Sequence, residues 1–281
     1  MLVATSEVRI GAGGARSALL LERAVRGTVI VRDQLAFDTR FAAAAAGKPE
    51  RVGHVFLLVE GRLVCETGSY AAPVAFVIAD DEIERVGPRS QTFRTDGERV
   101  IVIQLRFAAE LLRAPVGLAH GPIAVRAWEQ ARTLVATPTS TAALAGLLRA
   151  LEPIVAPVAI VEEEPERLRR LWAALEPLYH EYGATISIKQ IASALGLSLR
   201  QVGRDAKELA STFGLGDGYR DAMIVLRLRM AALLLSAPGG TVAEVARLVG
   251  YGSAIAMARA FRDAKLPAPS VVQAALRSSE E

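Results

Sequence analysis

Four side chains between residues 199 and 208 carry hydrogen-bond donors at helical spacing and would lie on the outward side of one helix. They are Arg200, Gln201, Arg204 and Lys207. Arginine and glutamine can form paired hydrogen bonds with base edges in the major groove of DNA, and lysine binds phosphates as a point charge. This combination predicts base contacts by the first three side chains and a phosphate contact by Lys207.

The eight residues from Ile191 to Ser198 have the features of the turn in a helix-turn-helix unit. Such a unit needs a small residue where its helices cross, a glycine in the turn, and apolar residues that fix the angle. Ala192 fits the crossing, Gly196 fits the turn, and Ser198 can cap the second helix. The apolar positions expected to fix the angle are Ile188, Ile191, Leu195 and Val202.

The same pattern recurs 54 residues later, where Ala246 and Gly250 are again four residues apart. Ser253 is placed to begin another helix, which is predicted to run from Ala254 to Lys265. The cations on that helix, predicted to bind phosphates, are Arg259, Arg262 and Lys265. One alanine–glycine pair occurs in many tight helical hairpins, but two copies favour DNA binding.

The distribution of charge agrees with this location. The 281 residues include 33 Lys+Arg and 30 Asp+Glu, and the whole excess lies in residues 181–281, with 12 cationic and 9 acidic side chains. A local positive excess attracts a polyanion. By itself, the charge is equally consistent with a solvated basic face.

The region of about residues 165–275 resembles the AraC/XylS family of transcription regulators. The segment from Arg227 to Leu235, between the two units, matches the family's R-L-x-x-A-x-x-L-L helix. The family's G-[FY]…F-x-R-x-F…P signature is met at Gly250, Tyr251, Arg259, Phe261 and Pro269. The resemblance implies two DNA-binding helix-turn-helix units and an N-terminal cupin-like regulatory domain, which often dimerises and often binds a small effector.

Several positions depart from the family's pattern. Met257 stands where the family usually has phenylalanine, Leu266 where it has glycine, and Ala206 where it has a large apolar residue. Gly203 costs about 1 kcal/mol relative to alanine inside a helix. The aliphatic residues 254–256 can touch a thymine methyl group but cannot form paired hydrogen bonds. The first unit is therefore expected to carry most of the sequence specificity and the second mainly phosphate contacts. The alternative is that the second unit no longer binds DNA.

Residues 27–107 are β-rich in character, because short β-branched or aromatic runs alternate with turn signals. The predicted strands lie at 28–31, 55–59, 63–65, 74–78 and 100–105. Beyond residue 108 the apolar spacing becomes helical, at 124–132, at 141–151 and in a stripe from Leu168 to Tyr179. The acidic segment 152–166 contains three prolines and is typical of a linker.

These patterns predict an α+β protein in three parts. Residues 1–151 would form a β-rich, cupin-like regulatory and dimerisation domain, a small barrel or jelly roll with trailing helices. Residues 152–166 would be a linker. Residues 167–281 would form an all-α DNA-binding domain with two helix-turn-helix units.

Signals for catalysis, metals and cofactors are weak. His54, His120 and His180 are far apart in the sequence, and His54 lacks the second histidine of the H-x-H pair that cupin enzymes use to bind a metal. We expect His54 at a strand edge, Gly11–Gly14 in a flexible turn and Asp80–Glu84 in a solvated loop. The sequence therefore predicts no catalytic residue, no metal and no cofactor.

Taken together, the sequence predicts a bacterial, sequence-specific DNA-binding transcription regulator. It shows no membrane-spanning run and no secretory leader, so a cytoplasmic location is expected. Its expected partners are double-stranded DNA, a second copy of the chain, a small-molecule effector and RNA polymerase. Two alternatives stay open: a non-enzymatic binding protein whose degenerate helix-turn-helix domain contacts proteins, and a cupin-type enzyme. The effector-binding residues are unknown at this stage, because strand register decides which side chains face inward.

Overall fold

The computed structural model describes residues 1–38, 52–65, 68–79, 94–95, 97–113, 117–119, 122–160, 163–181, 186–213 and 215–277. Within these ranges, a β-rich N-terminal part is followed by helices that include two helix-turn-helix units. The predicted fold class, α+β, is confirmed. The sequence predictions at Asp80–Glu84 and at His120 lie outside the described residues.

The elements of the described residues are as follows. The strands are β1 (Leu2–Ile10), β2 (Gly13–Leu21), β3 (Arg26–Asp33), β4 (Val52–Glu60), β5 (Arg62–Cys65), β6 (Gly68–Ala71), β7 (Val74–Ala79), β8 (Val100–Ala108) and β9 (Gly117–Ala119). The helices are α1 (Pro122–Ala136), α2 (Thr141–Ala150), α3 (Glu166–His180), α4 (Ile188–Leu195), α5 (Leu199–Thr212), α6 (Tyr219–Leu234), α7 (Val242–Leu248), α8 (Ala254–Asp263) and α9 (Pro269–Arg277). All five predicted strands and the predicted helices are confirmed, except that the helix predicted from Ala254 to Lys265 ends at Asp263.

Seven of the described strands form one antiparallel sheet in the order β1-β2-β3-β8-β4-β7-β9, and β5 pairs with β6 in a separate hairpin. One face of the large sheet packs against α1 and α2, where Val29, Leu105, Ala131 and Leu144 share a core. Ser140 caps α2 as expected, because its Oγ accepts from the backbone N–H of Ala143 at 3.1 Å.

Strands β1 and β2 precede the region that the sequence indicated as β-rich. Strand β1 buries alternate residues, but β2 is built largely from glycine, alanine, serine and leucine, which give a weak strand signal. The prediction of a turn at Gly11–Gly14 is right for its first half only, because Gly13 and Gly14 belong to β2. Strand β1 pairs with β2 and β2 pairs with β3, and packing against helices further stabilises both strands.

The prediction that His54 lies at a strand edge is wrong. Strand β4 lies inside the sheet, between β8 and β7, and His54 is buried there. Its ring stacks on Phe56 with centroids 5.9 Å apart, and its Nδ1 lies 2.9 Å from Nε2 of Gln104. Among the described residues, no group of three or more His, Cys, Asp or Glu side chains could bind a metal ion.

The other face of the sheet meets the C-terminal helices at β1 and β2. Leu2, Leu19 and Leu21 share an apolar core with residues of α3 and of both helix-turn-helix units. The indole Nε1 of Trp172 in α3 donates to the carbonyl oxygen of Val3 at 2.9 Å. The contact ties the helix that begins the C-terminal region to the first strand of the chain.

The turn between β1 and β2 approaches the connection between α6 and α7. A Cβ atom at Gly13 would lie 2.9 Å from Cβ of Ala237, so only glycine allows this approach. The side chain of Ile10 borders Gly240 in the same connection. The hairpin therefore contacts the segment that joins the two helix-turn-helix units.

The segment predicted as a linker has little regular structure where it is described. Val155 forms an isolated bridge with Leu112, and residues 156–160 have none. The buried carboxylate of Glu164 accepts from Arg23, with Nη2 and Oε2 2.6 Å apart. The three-part division of the chain stays a prediction, and no helix of the described residues is long and apolar enough to span a membrane.

Candidate nucleic-acid interface

The first helix-turn-helix unit consists of α4 and α5. Helix α4 begins in a capping box, in which Oγ of Ser187 accepts from the backbone N–H of Gln190 and the Gln190 side chain accepts from that of Ser187. The helix ends at Leu195 and is capped by Gly196, whose φ of 65° lies in the left-handed region. The N–H of Leu197 donates back to the carbonyl oxygen of Ala192 at 2.9 Å. The alanine–glycine spacing of the sequence is therefore the hydrogen-bonded end of a helix, a Schellman motif.

The second unit, α7 and α8, repeats this geometry. Thr241 and Glu244 form the capping box, and the hydroxyl of Thr241, which donates to the Glu244 carboxylate, lowers the pKa of that side chain. Gly250 has a φ of 83°, and the N–H of Tyr251 donates to the carbonyl oxygen of Ala246 at 2.8 Å. The prediction of two helix-turn-helix units is confirmed at the level of backbone hydrogen bonds.

The second helix of each unit begins at the serine that the sequence indicated. Oγ of Ser198 accepts from the N–H of Gln201 at 3.2 Å, and Oγ of Ser253 accepts from the N–H of Ala256 at 3.1 Å. These caps are 55 residues apart, one more than the glycines, because Gly252 is inserted before the second serine. Counting from these two serines aligns the two helices residue by residue, with an offset of 55 residues.

That register assigns equivalent positions on α5 and α8, the two helices predicted to contact DNA and called the recognition helices below. The exposed cations Arg204 and Lys207 correspond to Arg259 and Arg262. The exposed Arg200 corresponds to the exposed Ile255. The predicted difference between the units is thus located at the N-terminal end of the helix.

The outward face of α5 carries three exposed cations one turn apart. Arg200, Arg204 and Lys207 lie on this face, and Val202 on the opposite face is buried as predicted. Gly203 lies among the cations, and a Cβ atom there would meet nothing within 4 Å. Internal packing does not require glycine at this position. Ile191 is also buried, whereas Ile188 and Leu195 are only half-buried against the core.

Gln201, a predicted base reader, is occupied within the protein. Its Nε2 donates to both carboxylate oxygens of Asp205 at 2.9 Å, and its Oε1 accepts from Arg204. Asp205 is 3% exposed and also accepts from Nη1 of Arg167 in α3 at 3.1 Å. Sequence analysis did not single out Asp205; its one signal was its position four residues after Gln201, a spacing that allows side-chain pairing on a helix.

Helix α3 holds the recognition helix through a second acidic residue. Arg167 Nη2 donates to Oε1 of Glu208, and this hydrogen bond is the main cause that lowers the pKa of Glu208 below its ordinary value. The same hydrogen bond raises the pKa of Arg167. One guanidinium thus bridges two carboxylates of α5 and limits how α5 turns relative to α3.

Helix α8 ends two residues before the predicted end at Lys265. Lys265 has a φ of 59°, and the N–H of the following Leu266 donates to the carbonyl oxygen of Phe261 at 2.8 Å. Leu266 and Phe261 are both buried in the same core. The leucine that departs from the family pattern therefore covers the end of α8, and Lys265 takes the left-handed position usually given to glycine.

Helix α5 has a smaller residue at one buried position than α8. Ala206 corresponds to Phe261, which is fully buried. A small apolar cavity beside Ala206 lies between α3, α5 and α6 and is lined by Trp172, Tyr179 and Tyr219 among others. Aromatic rings from α3 and α6 thus line the empty space into which a larger side chain of α5 would extend.

Comparison with known proteins gives structural similarity only. No family model matches the chain, and no curated protein does. Among solved structures, the chain is similar to a DNA-binding transcriptional dual regulator from Escherichia coli K-12, with 19% identity over 42% of this chain and 98% of that chain and a TM-score of 0.33. It is similar to the AraC-like transcriptional activator CuxR, with 13% identity over 81% of this chain and 85% of that chain and a TM-score of 0.35. It is also similar to ToxT from Vibrio cholerae O395, with 10% identity over 91% of this chain and 99% of that chain and a TM-score of 0.40.

Proposed function

We propose that this chain is a sequence-specific DNA-binding transcription regulator. The observation that carries the proposal is the repeated geometry of the two units: each has the same glycine turn, the same serine cap and cations at equivalent exposed positions. In successive major grooves on one face of B-DNA, the two recognition helices would lie about 34 Å apart.

The first unit reads bases in this proposal. Arg200 and Arg204 are exposed at the N-terminal half of α5 and can each pair with a guanine. Gln201 can join them when a base replaces its contact with Asp205. Lys207, one turn after Arg204, contacts a phosphate and fixes the register of the helix on the duplex.

The second unit contributes mainly phosphate contacts. Its exposed cations are Arg259, Arg262 and Lys265. Ser253, like Ser198 in the first unit, caps a helix whose N-terminal N–H groups favour a phosphate. Together the two units would neutralise several phosphates along one side of the duplex.

Residues 1–151 regulate DNA binding by residues 167–281 in this proposal, with 152–166 between them. A small-molecule effector or a protein partner bound to the β-rich part would act through β1 and β2, because these strands contact both α3 and the α6–α7 connection. Homodimerisation and contact with RNA polymerase belong to the same proposal.

The proposal is tested by binding of the full chain to its own upstream DNA and to random DNA, from about 50 to about 200 mM salt. We expect a specific complex whose log affinity falls with log salt by about 0.9 for each phosphate contact. Weak binding that is indifferent to sequence would overturn the proposal. It would favour a protein-contact function, for which the exposed aliphatic side chains Leu199, Ile255 and Val271 are available.

A further inference from the structure

Ile255 is the most exposed large hydrophobic side chain among the described residues, at 77%. It is flanked by Ala254 and Ala256, which leave its aliphatic surface uncovered. A lone exposed isoleucine needs no explanation in most places. This one lies on the outward face of the helix proposed to enter a groove, so its surroundings determine what it would meet.

The position of Ile255 on α8 is well defined. It is the second helical residue after the Ser253 cap, and in the register of the two caps it corresponds to Arg200. Arg259 and Arg262 follow on the same face one and two turns later, whereas Met257 and Phe261 are buried on the opposite face. The aliphatic group therefore stands at the leading end of a helix whose next exposed residues are cationic.

The charges on this face of α8 indicate which class of partner it would bind. Arg259, Arg262 and Lys265 are exposed, and the one acidic side chain of α8, Asp263, lies at its far end. A face with this charge complements a polyanion better than an apolar protein surface. Within DNA, the major groove presents one apolar group to a side chain that cannot form hydrogen bonds, the 5-methyl group of thymine.

We propose that Ile255 is a specificity-determining residue that packs against the 5-methyl group of a thymine in the major groove. The second unit then reads sequence by apolar contact, where the first unit reads it by the hydrogen bonds of Arg200. The inference rests on the proposed function and deepens it, because it names the base that the second half-site must contain. Ala254 and Ala256 are small enough for the helix to approach the base edges closely.

The experiment replaces single thymines by deoxyuridine, which removes the methyl group and keeps base pairing unchanged. The DNA is a site selected from random duplexes with the full chain, and every thymine of the second half-site is replaced in turn. One replacement is expected to weaken binding about fourfold, the effect of removing one buried methyl group from a contact. In the Ile255→Ala variant, the same replacement should change the affinity by less than about 1.5-fold.

Val271→Ala is the matched control, because Val271 is an exposed aliphatic residue on α9 (55% exposed) outside the recognition helix. In this variant, the deoxyuridine replacement should weaken binding about fourfold, as it does in the unmodified chain. If specific binding persists and no replacement weakens it, the inference on Ile255 is overturned while the proposed function stands. A loss of equal size in the Ile255→Ala variant would assign the methyl contact to another residue and overturn it too. Failure to select any site would overturn the proposed function and this inference with it.

Discussion

The phenolic oxygen of Tyr179 lies 3.1 Å from Oγ of Ser17, although 162 residues separate the two in the chain. Oγ of Ser17 also lies 2.7 Å from Oγ of Ser6. Three hydroxyl groups at buried positions therefore connect α3 with β1 and β2. Since α3 also holds the recognition helix α5 through Arg167, this contact relates the position of the sheet to that of α5.

Tyr179→Phe should lower the free energy of unfolding by about 1 kcal/mol, because a buried hydrogen bond is lost. Ser17→Ala should cost more, because it also removes the hydrogen bond between Ser17 and Ser6. The double variant should lose less than the sum, by about 0.5–1 kcal/mol, because both changes remove the same contact. Urea unfolding of the four proteins measures this coupling. Additive effects would mean that the two hydroxyl groups do not stabilise each other.

Gly196→Ala and Gly203→Ala should change stability in opposite directions. In both cases the new methyl group meets nothing within 4 Å, so the backbone conformation at each position determines the change in stability. Gly196 has a φ of 65°, and alanine there should cost about 1 kcal/mol. Gly203 lies inside a helix, where alanine should add about 0.5–1 kcal/mol. Thermal unfolding shows whether each substitution raises or lowers the stability. Destabilisation by Gly203→Ala would reveal a requirement for glycine that the helix geometry does not show.

Lys265→Gly should stabilise the chain by about 1 kcal/mol. Lys265 occupies the left-handed region without being glycine, and this conformation costs a side chain with a Cβ atom about that amount. Lys265→Ala is the control, because it removes the same charge and keeps the Cβ atom. Its stability in urea should stay close to that of the unmodified chain, so equal gains from both variants would trace the effect to the charge.

Arg204→Ala and Arg262→Ala should separate base reading from phosphate binding. Arg204→Ala should reduce the discrimination between specific and random DNA by about 1–3 kcal/mol, the worth of a paired base contact. Arg262→Ala should weaken binding to both DNAs alike and lower the salt slope by about one. Binding isotherms at several salt concentrations measure both quantities. Equal loss on both DNAs in Arg204→Ala would contradict its role in base reading.

Glu208→Gln should lower stability at neutral pH and have little effect in acid. The hydrogen bond from Arg167 lowers the pKa of Glu208 in the folded chain. The ionised carboxylate therefore contributes fully to the free energy of unfolding above its ordinary pKa of 4.5, and this contribution is lost as the pH falls through the folded pKa. Urea unfolding from about pH 7 to about pH 2 should show a constant difference between the chain and the variant above about pH 4.5 and a shrinking one below it. In an Arg167→Met background, the pH-dependent effect of Glu208→Gln should be much smaller, because only the charges of Arg23 and Arg204 then lower the pKa of Glu208.

Local features could be predicted from the sequence because their hydrogen bonds join residues close together in the chain. The turn at Ala192 and Gly196 closes within five residues, and each serine cap acts three residues ahead. The β-branched runs that became β3 and β8 were likewise readable. These elements depend on backbone conformation and neighbouring side chains, and both are determined by the residue types themselves.

Features that depend on distant contacts could not be predicted. The sequence of β1 and β2 gives only a weak strand pattern, and these strands are stabilised by packing against α3, far along the chain. The contact of Arg167 in α3 with Asp205, the partner of Gln201, and the exposure of Ile255 depend on which helix faces meet. The sequence by itself determined the two helix-turn-helix units and their cationic faces. Only the tertiary structure decided which of those side chains are exposed and which are paired within the protein, because burial and pairing are set by the neighbours that folding brings together.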